Sequence, residues 1–328
     1  MSGQYYKGKT AVITGAARGI GRSFAMHLAD LGTNLVISDI NMERLTQVKE
    51  EIVKRGVKVL AVTCDVTDAT QTSNLTKSVI GEFGDIHFLF SNAGTATGGF
   101  IPYISTEQWE TIIKINLWGM INVVTAFIPK MIEQGFGHVI VTSSIAGAIG
   151  VGGLIPYSTT KFANAGFCEA LDGEYRSKGI NVSIICPFPL KTNLIENAGV
   201  GYPPELKEGY DRDIVEKAIA TGKAHYWTEF TKRAFITSGF GGGIDVDLAV
   251  KKYLKAIQKK RLYIFENRLG RLFQFFRGAS PYLYRKIIGI LGKRHCRLIS
   301  ETYQIAVDET KASLAKDGVT SENDVQRI

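Results

Sequence analysis

A chain of 328 residues with 45% hydrophobic and 21% charged residues buries a sizeable core. That excludes a disordered chain and suits one large domain or one domain with an appendage. The formal net charge of +8 is uneven: residues 251–297 hold fourteen Lys or Arg against one acid, Glu266, leaving 25 bases against 30 acids elsewhere.

In chain order, apolar runs at Thr10–Thr14, Leu35–Asp39, Lys58–Cys64, Ile86–Ser91, His138–Thr142 and Asn181–Cys186 alternate with helical patterns. The runs are apolar almost throughout, as strands covered by helices on both faces are. Six such strands separated by helices predict an α/β protein with a doubly wound parallel sheet. After Cys186 comes an aromatic stretch to about Gly243, with Tyr202, Tyr210, Tyr226, Trp227, Phe230, Phe235 and Phe240, too long for a plain connection. A helix over Val246–Lys259 and a run Leu262–Phe265 then extend the sheet.

Beyond it, Leu269, Leu272, Phe273 and Phe276 share one helical face, and Leu283, Ile287, Ile288 and Leu291 another, across a break at Gly278-Ala279-Ser280-Pro281. The pattern predicts two short amphipathic helices, with Ser280 as an N-cap and Pro281 as the first helical residue. The expected division is a main domain over 1–266, a basic helical appendage over 267–316 and a frayed tail over 317–328.

Cys64, Cys168, Cys186 and Cys296 form no CxxC pair, and the five histidines are scattered. Neither a disulfide framework nor a metal site is expected, and a reducing compartment is the simplest reading. The first ten residues lack the apolar stretch of a secretory signal. The uncharged stretch between Val139 and Lys161 is studded with Gly, Ser and Thr, which argues against a membrane span. A cytoplasmic chain is expected.

The first strand runs straight into Thr14-Gly15-Ala16-Ala17-Arg18-Gly19-Ile20-Gly21, where a helix begins. Glycines let backbone N–H groups approach a pyrophosphate at the positive helix N-terminus. The second strand ends in Asp39, eighteen residues beyond Gly21. An acid there accepts bonds from ribose hydroxyls and repels a 2′-phosphate, so NAD is favoured over NADP, while Arg18 partly offsets that charge.

Tyr157-Ser158-Thr159-Thr160-Lys161 opens another helical pattern, placing Tyr157 and Lys161 one turn apart on one face. A free tyrosine titrates near about 10, so its use as a base requires an adjacent positive charge, which Lys161 supplies. Ser144 lies just after the fifth strand, where open sheets bind ligands.

Together these residues resemble the short-chain dehydrogenase/reductase family over roughly residues 7–195 and, less tightly, 244–266. Thr14–Gly21 fits the TGxxxGxG turn, Asp65-Val66 the adenine-side pair, and Ser91-Asn92-Ala93-Gly94 the NNAG segment with its first Asn replaced. Asn116, Ser144, Tyr157 and Lys161 follow in family order, with the usual thirteen-residue step from 144 to 157. The resemblance implies a Rossmann fold and a nicotinamide-dependent oxidoreductase acting on CH–OH groups. It implies Tyr157 as general acid/base, Lys161 as its pKa-lowering partner on the nicotinamide ribose, Ser144 on the substrate oxygen, and Asn116 holding a relay water. Ser143 leaves open which hydroxyl acts.

One departure stands out. Where the family has Pro-Gly, Pro187 is followed by Phe188-Pro189-Leu190-Lys191-Thr192, although Thr192 still matches the threonine expected at the carboxamide. The aromatic stretch over about 195–243 occupies the position of the family's substrate lid, with residues 239–243 as a hinge, implying an apolar substrate of lipid, steroid or terpenoid type. An NADPH-dependent reductase of a smaller carbonyl, or a non-catalytic dinucleotide-binding regulator, are the rival readings. The expected partners are a small apolar substrate and further copies of the chain. The basic helices suit either an anionic membrane surface, with Leu269, Phe273, Phe276 and Ile287 inserted, or packing on protein. Nucleic acid is not expected, because no recognition motif accompanies the charge.

Overall fold

The structure, a computed structural model, describes residues 3–190, 194, 198–203, 206, 212–238 and 244–316. Its strands are β1 (Thr10–Thr14), β2 (Asn34–Asp39), β3 (Val59–Thr63), β4 (Phe88–Ser91), the two-residue β5 (Thr97–Gly98), β6 (Gly137–Thr142), β7 (Ile180–Ile185), β8 (Gly199–Val200) and β9 (Tyr263–Ile264). Seven form one parallel sheet in the order β3-β2-β1-β4-β6-β7-β9. The chain winds outward in both directions from between β1 and β4, so the crevice at their C-terminal ends is the topological switch point where such sheets take ligands. β5 pairs with β8 beside that crevice.

The helices are α1 (Gly19–Asp30), α2 (Met42–Val53), α3 (Ala69–Phe83), α4 (Thr106–Ile113), α5 (Gly119–Gln134), α6 (Ile155–Tyr175), α7 (Arg212–Ser238), α8 (Val246–Ile257), α9 (Arg268–Ala279) and α10 (Pro281–Lys316). Side chains alternate along each strand. Ile13, Leu35 and Ile37 therefore meet Phe24, Leu45, Ile52 and Tyr253 from α1, α2 and α8 on one face. Val12, Val36, Leu89 and Val139 meet Leu75, Val79, Val123, Phe127 and Cys168 from α3, α5 and α6 on the other. Burial on both faces is why the strands read as unbroken apolar runs. The continuous helical run Thr106–Gln134 is long and apolar enough to cross a membrane. Its Val123, Val124, Phe127 and Met131, however, are buried in the core on the α3 side of the sheet.

The C-terminal part differs from expectation in length. Ser280 does cap α10, accepting from Leu283 N at 3.4 Å, and Pro281 opens it, but the helix runs for 36 residues in place of a short second segment. Periodicity over residues 283–291 marked only its first turns. The beginning of α10 and all of α9 also pack on the main body, with Leu269, Phe273, Tyr284, Ile288 and Leu291 against the core beneath. Residues 317–328, the hinge residues 239–243 and Tyr210 lie outside the described residues, as do the side chains of Trp227, Phe230 and Phe235.

His138 in β6 is buried, with Nε2 2.8 Å from the Ser183 hydroxyl. Burial, reinforced by Lys260, pulls it from 6.5 to about 3. The unfolded chain therefore takes up a proton across that window which the folded chain refuses, so this contribution to stability is full above pH 6.5 and is lost as pH falls. We predict that His138→Gln makes unfolding less acid-sensitive, by up to about 1.4 kcal/mol per pH unit within the window. Urea unfolding at neutral and mildly acidic pH measures this, and unchanged pH dependence would refute it.

Candidate active site

β1 ends at Thr14, and the chain turns through Gly15 (φ +64°) and Gly19 (φ +56°) into α1. A Cβ on Gly15 would sit 2.8 Å from the Ala93 Cα, and one on Gly21 would sit 2.6 Å from Nδ2 of Asn92. Glycine is thus required by the protein's own packing as well as by any ligand. Asp39 closes the same turn, its Oδ2 accepting from Ala17 N at 3.0 Å while Oδ1 accepts from Asn41 N at 3.1 Å. The Asp65 carboxylate accepts from Thr67 N at 2.8 Å, and the Val66 carbonyl accepts from Asn122 Nδ2 of α5 at 3.0 Å.

Asn92 ties the strand ends together. Its Nδ2 donates to the carbonyls of Thr14 and Gly15, both at 3.2 Å, and its Oδ1 accepts from the Thr142 hydroxyl at 3.0 Å. The Thr142 carbonyl in turn accepts from Lys161 Nζ at 2.9 Å. A continuous line of bonds thus runs from the glycine turn to the lysine.

Tyr157 and Lys161 are both buried in the first turns of α6. Burial pushes the Tyr157 hydroxyl up, while its hydrogen bond with Ser144 pulls it partly back. Burial pulls Lys161 from 10.5 down to about 8, so it still carries its charge in most molecules at neutral pH. Ser144 is fixed by accepting from Ala146 N at 3.1 Å. The two serines differ in their bonding: the Ser143 hydroxyl donates to the Lys161 carbonyl at 2.9 Å and anchors α6.

Asn116 lies in a π-turn, Lys114–Trp118, that joins α4 to α5, a distortion that recurs at functional sites. Its Nδ2 donates to the Thr95 carbonyl at 2.9 Å and the Thr160 hydroxyl at 3.2 Å, and its Oδ1 accepts from Thr95 N at 2.8 Å. Both amide hydrogens are therefore committed, and a water here reaches only its oxygens. A Cβ on Gly94 would stand 3.2 Å from Asn116 Oδ1 and 3.6 Å from Lys161 Nζ, so Gly94 lets the two approach.

One cavity of about 750 Å³ gathers Gly15, Arg18, Gly19, Ile20, Asp39, Asp65, Val66, Asn92, Ala93, Gly94, Ser144, Tyr157, Lys161 and Pro187. Asn116 stands behind its wall. Thr192 lies outside the described residues. The cavity continues past Ala96, Gly98, Leu154, Leu194 and Val200 to Tyr202, Tyr226, Ile299, Thr302 and Tyr303. Of this second group the sequence reading had only Tyr202 and Tyr226, as members of an aromatic stretch. The i, i+3, i+4 spacing of Ile299, Thr302 and Tyr303 was the one available signal for the rest.

The Phe188 departure has a structural cause. Its N–H donates to Glu266 Oε1 at 2.9 Å, and Glu266 Oε2 accepts from Tyr253 at 2.8 Å. The ring lies beneath α9, where a Cβ on Gly270 would stand 3.1 Å from its Cε2. The side chain fills the space under a helix that follows the main sheet.

The profile of the short chain dehydrogenases matches residues 9–217. Short-chain dehydrogenase/reductase family 16C member 6 of Bos taurus is 35% identical over 222 residues, covering 65% of this chain and 69% of that protein. Epidermal retinol dehydrogenase 2 of Homo sapiens is 34% identical over 227 residues, covering 67% and 74%. Among solved structures, a short chain dehydrogenase/reductase from Burkholderia phymatum in complex with NAD aligns at a TM-score of 0.69 and 27% identity, over 85% of this chain and 96% of that one.

Phe188→Gly, which restores the usual residue, is predicted to leave a void under α9 and to destabilise the fold by about 3–5 kcal/mol. Denaturant unfolding checks this. A loss below about 1 kcal/mol would mean that the ring is not supporting α9.

Proposed function

Because the chain belongs to the short-chain dehydrogenase family, we propose that it interconverts a secondary alcohol and a ketone on a bulky apolar molecule, with Ser144, Tyr157 and Lys161 carrying the proton chemistry. It is an NAD(P)-dependent oxidoreductase with a Rossmann-type sheet. The residues present fit a dinucleotide: Gly15 and Gly19 open the N-terminus of α1, and a side chain on Gly15 would collide with Ala93. Arg18, Gly19, Ile20 and Asp39 would hold the adenosine half, and Asn92, Ala93, Gly94, Tyr157, Lys161, Pro187 and Thr192 the nicotinamide half. Asp65 and Val66 would border the adenine. We read Asp39 as selecting NAD over NADP, since a carboxylate there opposes a 2′-phosphate. The bound nicotinamide supplies or accepts the hydride.

The chain's own residues move the proton. The Ser144 hydroxyl holds the substrate oxygen beside the Tyr157 hydroxyl, which gives its proton to a forming alkoxide or takes one from an alcohol. Lys161, held by the Thr142 carbonyl, places a positive charge near the developing phenolate. Asn116 shapes the floor between Gly94 and Thr160 and would hold a relay water through its oxygens. The observation that carries this reading is the burial of Tyr157 and Lys161 in one cavity, which Ser144 also lines.

An apolar substrate is supported by the walls beyond Tyr157, built from Ala96, Leu154, Val200 and Ile299 among others. The name of the human relative, a retinol dehydrogenase, is consistent with it. Purified protein is to be assayed with NAD⁺ and NADP⁺ and a panel of hydrophobic secondary alcohols beside Tyr157→Phe. We expect tighter binding of NAD⁺, and a loss of turnover of at least about a hundredfold in the variant with NAD⁺ binding retained. Equal rates in the two proteins would overturn the assignment of Tyr157.

We further propose that the outer face of α9 and of the start of α10 rests on an anionic membrane surface. Leu269 and Phe273, first assigned to insertion, face the protein core instead. Phe276 and Ile287 are half-buried, and the exposed apolar residues are Leu272, Phe275 (64% exposed), Tyr282 (71%), Leu283 and Ile290 (56%), set among Arg271, Arg277, Arg285, Lys286, Lys293 and Arg294. Apolar side chains ringed by bases are the chemistry that an anionic interface takes up. The double variant Phe275→Ser/Ile290→Ser is expected to lower partitioning onto phosphatidylserine-containing vesicles by about tenfold or more. Unaltered partitioning would reject this surface.

A further inference from the structure

We infer that the C-terminal half of α10 is a wall of the substrate cavity, and that Ile299, Thr302 and Tyr303 set the size of the molecule admitted. The inference rests on the reading of the cavity beside Tyr157 as the substrate site. All three residues line that cavity and are buried, although they follow β9, the last strand of the sheet, by more than thirty residues.

The middle of α10 is bonded to the main body at two places. The Tyr303 hydroxyl donates to the Gly201 carbonyl, beyond β8, and accepts from Phe100 N at 3.1 Å, beyond β5. His295 Nδ1 donates to the Gly152 carbonyl, in the loop that leads into α6 and Tyr157, while the Tyr226 hydroxyl of α7 donates to His295 Nε2. Burial lowers the affinity of His295 for a proton, in keeping with a neutral ring that donates on one side and accepts on the other.

Glycines admit the helix at each contact. A Cβ on Gly99 would lie 2.8 Å from the Tyr303 oxygen, and one on Gly222 of α7 would lie 3.1 Å from the Thr302 carbonyl. A Cβ on Gly153 (φ +80°) would run into Ile299. Gly222 faces Thr302 and Ala306 while Tyr226, one turn on, reaches His295, so α7 and α10 run antiparallel. Tyr202, Leu206 and Tyr303 pack together with Ile299 and Ala306, closing the junction between the helix pair and the β8 segment.

The same bonds define the chemistry of the wall. The Tyr226 and Tyr303 hydroxyls are engaged by His295 and by backbone, and the Thr302 hydroxyl donates to the Leu298 carbonyl at 2.8 Å. What α10 leaves toward the cavity is ring face, methyl and sec-butyl surface, beside which the buried Tyr202 hydroxyl has no hydrogen-bond partner among the described residues. The ligand class is therefore a ketone or secondary alcohol whose far portion is hydrocarbon, bounded in size by α10.

Two variants test this. Thr302→Leu adds bulk to the wall, and Ile299→Ala removes it. Reduction of 2-butanone through 2-tetradecanone is followed with NADH and NADPH, with the thermal midpoint and NADH affinity as controls of the fold. We expect the ratio of kcat/KM for 2-dodecanone over 2-butanone to fall about tenfold in Thr302→Leu and to shift toward longer chains in Ile299→Ala. The same chain-length profile in wild type and both folded variants would overturn the inference.

If the wild-type protein reduces no ketone, that result counts against the proposed apolar substrate and not against the wall. The wall is then read from equilibrium binding of two fluorescent aryl ketones differing only in chain length, 6-propionyl- and 6-dodecanoyl-2-dimethylaminonaphthalene. A selective loss of the longer probe in Thr302→Leu supports the wall. Equal binding of the longer probe by wild type and variants, including none by either, overturns it.

Discussion

The side chain of Asn92 is the constraint on which the site depends. A parallel sheet that winds both ways from its centre leaves a gap where the chain diverges, and carbonyls at the strand ends there lack ladder partners. Asn92 answers two of them, at Thr14 and Gly15, and uses its own oxygen on the Thr142 hydroxyl. Thr142 passes the restraint on through its carbonyl to Lys161. The glycine turn and the Lys161 ammonium are thereby held in one frame, with the Asn92 and Lys161 polar groups paired in a place where an unpaired one costs about 1–3 kcal/mol. Gly21 belongs to the same frame, since any side chain there would displace the Asn92 amide.

That frame makes the burial of Tyr157 and Lys161 tolerable. Burial opposes both charges, pushing the phenol up and the ammonium down to about 8. A phenolate beside an ammonium is neutral as a pair, so the cost falls when the two charges occur together and near one another. The Ser144 hydroxyl supplies the remaining directed bond, and Ser143 anchors the helix from which both residues project.

Much of this was legible in the sequence because it is local. A strand covered on both faces leaves an unbroken apolar run, a dinucleotide turn leaves spaced glycines, and a Tyr four residues before a Lys lies on one helical face. What was hidden depends on partners far apart in sequence. The commitment of the Asn116 amide to Thr95 and Thr160, through a π-turn, has no local signature. The length of α10 was underestimated because its later apolar positions pack on α7 and on the loops at Gly99, Gly153 and Gly201, not along a simple stripe. Leu269 and Phe273 were assigned to a membrane because an amphipathic face has the same period whether lipid or protein covers it.

The replacement of the usual glycine by Phe188 shows why the C-terminal helices belong to the enzyme. Phe188 lines the cavity and lies against α9 at the same time. Here Glu266, from the end of the last strand, holds the Phe188 N–H, and Gly270 of α9 leaves room for the ring. The loop that a glycine would make flexible is instead fixed from outside by the segment that follows the sheet. The same segment returns along α10 to Gly152, only five residues before Tyr157. The extension therefore meets the cavity in two places, through Gly270 against Phe188 and through Ile299, Thr302 and Tyr303 in its lining. Both helices pack against residues that line the cavity, which is the physical sense in which the chain departs from a minimal dehydrogenase domain.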